Sequence, residues 1–330
     1  MQKILIIGGE GYIGNVVSEY LLMKKYEVVS FDNLLFQNNL CPLNHLHNPH
    51  YSFSYGDMCD SEALEAVLSG VDGVVLLAGL VGDPITKKYP QESAKINDQG
   101  VRNVIDTCAR MNVDKFVFVS TCSNYGLIKD NELADEFFPL NPLSLYAKSK
   151  VAAEERILGL KGQTQMNPTV LRFATAFGAS PRMRFDLTVN EFTRDLAMGK
   201  ELLVFDEHTW RPYCHVKDFA RLIHIVLEAD ESKTSFEVFN AGGEENNATK
   251  QMIVDTIIKR LPNSKVAYKE HGTDPRNYRV DFTKVKEVLG FEPAYSIDDG
   301  VLEIIELMGQ NVFSHVEAQK NFHGNYYIEY

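Results

Sequence analysis

Gly8-Gly9-Glu10-Gly11-Tyr12-Ile13-Gly14 lies between an apolar run, Lys3 to Ile7, and a stretch whose apolar residues, Ile13, Val16, Val17, Tyr20 and Leu21, fall at helical spacing. This reads as a buried strand turning into a helix. The glycines follow a GxxGxxG pattern. Glycine has no Cβ, so the backbone can turn sharply and approach a pyrophosphate, which then rests on the helix N-terminus. Asp32 closes the next apolar run, Glu27 to Phe31. A carboxylate there accepts hydrogen bonds from ribose hydroxyls and repels a 2′-phosphate, which favours NAD over NADP. Glu10 is out of place in a phosphate turn and is expected to point away from it. No GxxxxGK[ST] string occurs, so a P-loop is excluded.

The alternation continues outward. Runs at 51–55, 73–77, 115–120 and 168–172 read as strands, with helical patterns at 61–68, 94–111 and 144–160 between them. Strands that are apolar throughout predict a parallel sheet covered on both faces. The fold class is α/β: a Rossmann-type doubly wound parallel sheet over 1–172, then a smaller C-terminal α/β substrate lobe over 173–330. The segment around 213–235 is expected to return to the first domain, and a helix is predicted at 249–261. The stretch 322–330 is aromatic-rich and aperiodic, and is expected to pack on a surface or a partner.

The chain has 330 residues, with 33 Lys+Arg against 45 Asp+Glu and a net charge of −12. That balance argues against binding nucleic acid or an anionic membrane through bulk charge. It leaves room for a local basic pocket that takes a phosphorylated small molecule. Cys41, Cys59, Cys108, Cys122 and Cys214 are widely spaced with no CxxC pair. A disulfide framework or zinc ribbon is disfavoured, and a cytoplasmic setting is expected. No apolar run approaches the ~18 residues of a membrane span, and the start does not read as a signal peptide. His45, His47 and His50 share a polar loop without matching carboxylates or thiols. They read as solvated histidines, and no metal site is expected.

Tyr146 and Lys150 stand four residues apart at the start of the 144–160 helix, which puts both on one face. A tyrosine with a pKa of ~10 is a poor base at neutral pH. A nearby ammonium and a nicotinamide cation would favour the phenolate and lower that pKa. Lys150 could also bond the nicotinamide ribose. Thr121, at the end of the 115–120 strand, could share a hydrogen bond with the same substrate hydroxyl. Together they would deprotonate an alcohol while its carbon gives hydride to NAD. A bare YxxxK is common on surface helices; the glycine turn and Thr121 give it weight.

In order and spacing, these residues resemble the extended short-chain dehydrogenase/reductases, specifically the NAD-dependent nucleotide-sugar epimerase/dehydratase group. The resemblance also rests on Asp32-Asn33-Leu34, Gly56-Asp57, Ser120 to Gly126 (STCSNYG), Arg211 to Asp218 (RPYCHVKD) and Asp274-Pro275-Arg276. It implies Tyr146 as general base, Lys150 as its partner and Thr121 as ligand of the substrate hydroxyl. For the cofactor it implies Gly8, Gly11, Tyr12, Ile13, Gly14, Asp32, Asn33 and Leu34. To these it adds Asp57 at the adenine, Met58, the lining residues Leu77, Ala78 and Gly79, and Ser120 and Phe173. Asn97 would support Lys150 through water. For a nucleotide-diphosphate sugar it implies Val81, Thr121, Cys122, Ser123, Thr175 and Phe205, with Asn190, Arg211 and Arg276 on the diphosphate. A guanidinium fork matches phosphate oxygens. A homodimer is implied as well, its 94–111 and 144–160 helices packed as a four-helix bundle.

Departures from the group's pattern narrow the reaction. Its 4,6-dehydratases place an Asp-Glu pair directly after the catalytic Thr, where this chain has Cys122-Ser123. Elimination needs an acid and a base there, so dehydration is disfavoured. The usual HxAA is Leu76-Leu77-Ala78-Gly79, and a frequent Asn is Thr175. The leading expectation is a nucleotide-sugar 4-epimerase working through a transient 4-keto sugar. The alternative is a 4-dehydrogenase that releases the ketone, for example from a GDP-heptose, since Ser180 to Leu187 (SPRMRFDL) is similar to that branch. A non-catalytic NAD-binding regulatory protein ranks last, because Tyr146 and Lys150 are both present.

Overall fold

The computed structural model describes residues 1–129, 132–270, 276–313, 317 and 319–328. Its strands are β1 (Lys3–Ile7), β2 (Glu27–Asp32), β3 (Tyr51–Tyr55), β4 (Gly73–Leu76), β5 (Lys115–Thr121), β6 (Asn167–Phe173), β7 (Thr175–Phe177), β8 (Leu202–Phe205), β9 (Trp210–His215), β10 (Glu237–Ala241), β11 (Asn247–Thr249) and β12 (Val266–Lys269). Seven of them form one sheet in the order β10-β6-β5-β4-β1-β2-β3. Every pairing in it is parallel. The order reverses beside β1, between β2 and β4. That reversal opens a crevice at the C-terminal strand ends, where ligands of such sheets bind.

The two-residue period of β1 builds both faces. Ile4 and Ile6 join Val16, Val17 and Leu21 of the Tyr12–Met23 helix and Phe219, Ile223 and Val226 of the Val216–Glu228 helix. Leu5 and Ile7 join Val104 and Ile105 of the Val101–Arg110 helix and Ala153 and Ile157 of the Leu145–Gly159 helix. These side chains are removed from water, at roughly 1.5–3 kcal/mol for each large aliphatic group.

Three features differ from the sequence reading. β10 adds a seventh strand. Glu237 and Asn240 interrupt its apolar run, and Asn240 is buried because Nδ2 donates to Ala134 O and Asp281 O. The expected 94–111 helix opens as a widened π turn, Ala94–Gly100, before Val101–Arg110. Asn97 clamps the Leu80 peptide from inside that turn, at 2.8 and 3.0 Å. His45 is buried, not solvated. Its ring packs 5.3 Å from that of Tyr51, and burial lowers its pKa.

The smaller layers are a β11-β9-β7 sheet and a β12-β8 pair. Val189 and Leu196 of the Thr188–Ala197 helix, Ile253 and Ile257 of the Lys250–Arg260 helix and Val301 of the Ile297–Gly309 helix pack with Phe177, Val204 and Tyr213 in a separate core. Among the described residues no helix is long and apolar enough to cross a membrane.

Candidate active site

At the β1–β4 crevice the Gly8–Gly14 turn is closed so tightly that side chains cannot enter it. Gly8 has φ +87°, and a Cβ there would stand 2.6 Å from Ala78 N. One on Gly14 would stand 2.4 Å from Gly8 O. Gly11 caps the Tyr12–Met23 helix with no side-chain hydrogen bond to the first turn. The first-turn N–H groups thus form a seat for an anion. Asp32 Oδ1 accepts from Leu34 N at 2.8 Å, and Oδ2 accepts from Glu10 N at 3.0 Å. This fixes the carboxylate at the end of β2. With Asn33, Asp57, Met58, Ala78 and Gly79 these groups line a cleft of about 920 Å³. A glycine cradle, a helix N-terminus and a carboxylate at the next strand end together fit a dinucleotide. Glu10 points away from the turn. Its Oε1 accepts from Ser30 Oγ and Tyr51 Oη, each at 2.5 Å.

A second cleft, of about 1530 Å³, opens beside the first. The two share Tyr12, Ile13, Leu77, Val81, Arg184 and Asn325. Thr121, Ser123, Tyr146, Lys150, Thr175, Arg211 and Arg276 line the second, as do Ser120 and Phe173, which were expected on the cofactor. Ser120 turns its hydroxyl to Glu154 Oε1 at 2.5 Å, and Phe173 stacks on Phe219 at 3.7 Å.

Thr121, Tyr146 and Lys150 are held by one strand end and one helix start. Ser144 Oγ accepts from Ala147 N at 3.2 Å and so starts the Leu145–Gly159 helix. Lys150 follows Tyr146 by one turn. Its ammonium donates to Val119 O at 2.7 Å, 4.6 Å from the Phe118 ring centre. Burial lowers the Lys150 pKa to about 8, with Glu154 pulling it back up. Thr121 lines the same cleft as Tyr146 and favours its phenolate. Burial pushes the phenol pKa up, outweighing Arg184 and Thr121, which favour the phenolate. The sequence reading expected a lowered phenol. Instead desolvation dominates, and the Lys150 ammonium is directed at a backbone carbonyl.

Arg211 is buried against the Tyr278 ring, 5.0 Å away, and donates to Trp210 O at 2.8 Å and to Arg276 O. Arg276 reaches Asp83 at 3.2 Å and Ser123 Oγ at 3.3 Å. Asp274 and Pro275, quoted with it in the sequence, lie outside the described residues.

Five expected residues stand back from both clefts. Asn190 accepts from Gly178 N at 3.0 Å and donates to Arg184 O at 3.0 Å and Tyr12 Oη at 3.2 Å. It therefore builds the wall rather than facing a diphosphate. Cys122 is in the core, donating to Arg172 O, with its thiol pKa raised by burial. Phe205 lies on β8, where its carbonyl accepts from Lys250. Leu34, at φ +58°, contributes its N–H to Asp32. Asn97 shares a small void with Tyr146 and Lys150.

Four residues were not foreseen. Arg184 grips Asp186 with two bonds, at 2.8 and 2.6 Å, where the clefts meet. Arg182, buried in the first cleft, donates to Gly324 O at 3.1 Å, and its Nε has no partner among the described residues. Burial, with Arg184 nearby, lowers its pKa to about 10. Asn325 lines both clefts and Tyr326 the second. The Ser180 to Leu187 stretch was visible in sequence, but only as the mark of a branch. The C-terminal pair carries no sequence signal.

A model of the NAD-dependent epimerase/dehydratase family matches residues 4–242. The chain is 26% identical over 323 residues to a dTDP-glucose 4,6-dehydratase of Streptomyces niveus, covering 94% of each. It superposes with a TM-score of 0.83 and 27% identity on the UDP-glucose 4-epimerase of Thermotoga maritima, solved with UDP-glucose, over 94% of this chain and 100% of that one. The dTDP-glucose 4,6-dehydratase of Bacillus anthracis, solved with NAD, gives 0.83 and 27%, over 94% and 97%.

Proposed function

The chain belongs to the NAD-dependent epimerase/dehydratase family, and on that premise we propose that it is a nucleotide-sugar 4-epimerase working through a transient 4-keto sugar. The observation that carries this reading is the cluster of Thr121, Tyr146 and Lys150 lining a cleft that is continuous with the dinucleotide cleft. NAD supplies the acceptor for the hydride that leaves C4, and returns it.

The chain's own residues move the proton. Tyr146, as phenolate, takes the O4–H proton while the C4–H bond breaks and C4=O forms. Once the ketone has turned its opposite face towards the cofactor, hydride returns to C4 and the same hydroxyl gives the proton back to O4. Thr121 shares a hydrogen bond with that oxygen and fixes its line of approach. Burial raises the Tyr146 pKa, so the phenolate is reached with the help of the Arg184 guanidinium, Thr121 and the positive nicotinamide that bound NAD would bring. Arg211 and Arg276 supply the positive charge for the diphosphate. Arg276 then exchanges Asp83 for phosphate oxygens. Elimination finds no acid–base pair after Thr121, since Cys122 is a packed thiol and Ser123 is engaged with Tyr278 and Arg276.

The test is product analysis by nuclear magnetic resonance after incubating the NAD-loaded chain with UDP-, dTDP-, GDP- and CDP-linked hexoses and heptoses. A C4 epimer supports the reading. An accumulating 4-ketose favours the 4-dehydrogenase, and a 4-keto-6-deoxy sugar contradicts the argument against elimination. The implied homodimer pairs the Val101–Arg110 and Leu145–Gly159 helices. Sedimentation at micromolar concentration checks it, a monomer mass counting against it.

A further inference from the structure

Glu154 follows Lys150 by four residues on the Leu145–Gly159 helix, as Lys150 follows Tyr146. Each therefore stands beside the next on the helix surface. Glu154 is 2% exposed and lines neither cleft. Its carboxylate gathers donors from three other segments. Oε1 accepts from Ser120 Oγ at 2.5 Å and from Asn124 Nδ2 at 2.8 Å. The Arg172 guanidinium on β6 donates from Nε to both oxygens, at 3.2 and 3.0 Å, and from Nη2 to Oε2 at 2.7 Å. Ser120 immediately precedes Thr121 at the end of β5, and Asn124 belongs to the turn that follows it. The carboxylate thus ties the helix that carries Tyr146 and Lys150 to the strand end that carries Thr121.

Its charge also bears on Lys150. The ammonium is faced by the Phe118 ring and the Val119 carbonyl from β5, by Asn97 and Val101 across the small void, and by Tyr146 on its own helix. Lys95, Asp98 and Arg102 on the opposite helical segment are exposed. Asp83, Arg184, Asp186, Arg211, Lys250 and Arg276 line the second cleft with it. Burial lowers the Lys150 pKa, and the Glu154 carboxylate acts against that lowering. An ammonium has three N–H donors. With one on Val119 O, a charged Lys150 keeps two for the clefts, where a neutral amine keeps fewer.

We propose that Glu154 is a positioning residue for the reaction, holding Tyr146 and Lys150 in register with Thr121 and keeping Lys150 an ammonium by its charge. The role in turnover rests on the nucleotide-sugar reading above. Arg172 is the counter-ion that lets the carboxylate stay buried.

The experiment compares Glu154→Gln with Arg172→Met in the full chain. Both break the same buried ion pair, which is destabilising in either case, so a merely structural role would make them behave alike. Their lost charges act on Lys150 in opposite directions. The chain is labelled with carbon-13 at lysine Cε, and the nuclear magnetic resonance signal missing in Lys150→Met is followed against pH. Its midpoint should fall by about one pH unit in Glu154→Gln, and should stay or rise in Arg172→Met. The double variant Glu154→Gln/Arg172→Met leaves no unpaired buried charge and should also titrate below the wild type, so the effect is read even where a single variant does not fold. An unmoved midpoint in Glu154→Gln, or the same fall in Arg172→Met, overturns the assignment. Turnover is then measured with NAD and UDP-glucose, dTDP-glucose, GDP-mannose or CDP-glucose. Glu154→Gln should lower kcat about tenfold with KM within about twofold, and Glu154→Asp should recover most of the loss. A loss in KM alone overturns the positioning role. A wild type that turns over none of the four counts against the functional reading, and the lysine midpoints then decide the assignment by themselves.

Discussion

The ammonium of Lys150 stands 5.9 Å from the centre of the Tyr146 ring while it donates to the carbonyl of Val119 at 2.7 Å. Val119 lies two residues before Thr121 on β5, so helix start and strand end position all three groups relative to one another. Tyr146→Phe removes only the hydroxyl. Turnover should fall by a factor of ~10² to 10⁴, and NAD affinity should stay within about twofold. Steady-state rates beside a NAD titration check this. A variant that keeps more than a tenth of the rate would remove Tyr146 from the base role.

The buried Lys150 gives a second expectation, for stability. Its pKa is lowered to about 8 in the folded chain, against ~10.4 unfolded. Between those values the unfolded chain holds more protons, so stability rises with pH across the window. Below pH 8 both states are protonated and this contribution is flat. The rise amounts to something on the order of 3 kcal/mol. Denaturant unfolding of the NAD-free chain at several pH values, against Lys150→Met, reads it as a slope present in the wild type and missing in the variant. Identical slopes would mean that Lys150 does not titrate there.

Glu10 titrates with the opposite sign. Burial raises its pKa above the ordinary carboxylate value, more than the Ser30 and Tyr51 bonds lower it. The folded chain then holds the proton longer than the unfolded one, and stability falls as pH rises through that window. Gln at this position keeps the acceptor for Ser30 and Tyr51 and cannot ionise. Glu10→Gln should therefore raise the melting temperature by a few degrees at pH 8 and by much less at pH 5. Equal shifts at both pH values, by scanning calorimetry, would contradict the assignment.

Arg182 bears on the cofactor. It is a buried cation lining the dinucleotide cleft, and its guanidinium donates to the backbone carbonyls of Asn321 and Gly324. Removing a charge-assisted contact to a pyrophosphate costs ~1.5–3 kcal/mol, or roughly ten- to a hundredfold in affinity. Arg182→Met should weaken NAD by that factor while a nucleoside diphosphate still binds the second cleft. Unchanged NAD affinity would show that Arg182 only anchors the backbone at Asn321 and Gly324.

What the sequence showed was the local part of the site. The Gly8–Gly14 turn, Asp32 at the end of β2 and the Tyr146–Lys150 turn each declare themselves within a few residues, because strand, turn and helix impose short periods. β10 was missed because Asn240 is polar yet buried, its amide satisfied from segments far along the chain. Asn190 carries the right chemistry for a diphosphate, but its amide is engaged by Gly178, Arg184 and Tyr12. Arg182, Arg184 and Asn325 reach the site only through tertiary packing. Asn325 meets Val81 across 244 residues of chain, a distance no local pattern encodes. The burial that raises the Tyr146 pKa in the NAD-free chain is not legible for a similar reason, since it is set by the whole cleft and not by the YxxxK spacing.

The central claim is that a sugar hydride is taken up and handed back within one closed site. It is tested most directly by the absorbance of reduced nicotinamide as each nucleotide sugar of the panel is added to the chain with excess NAD. The expected result is a transient at or below one equivalent per active site while sugar is converted. Absorbance that climbs well past one equivalent would contradict the epimerase and point to release of the ketone.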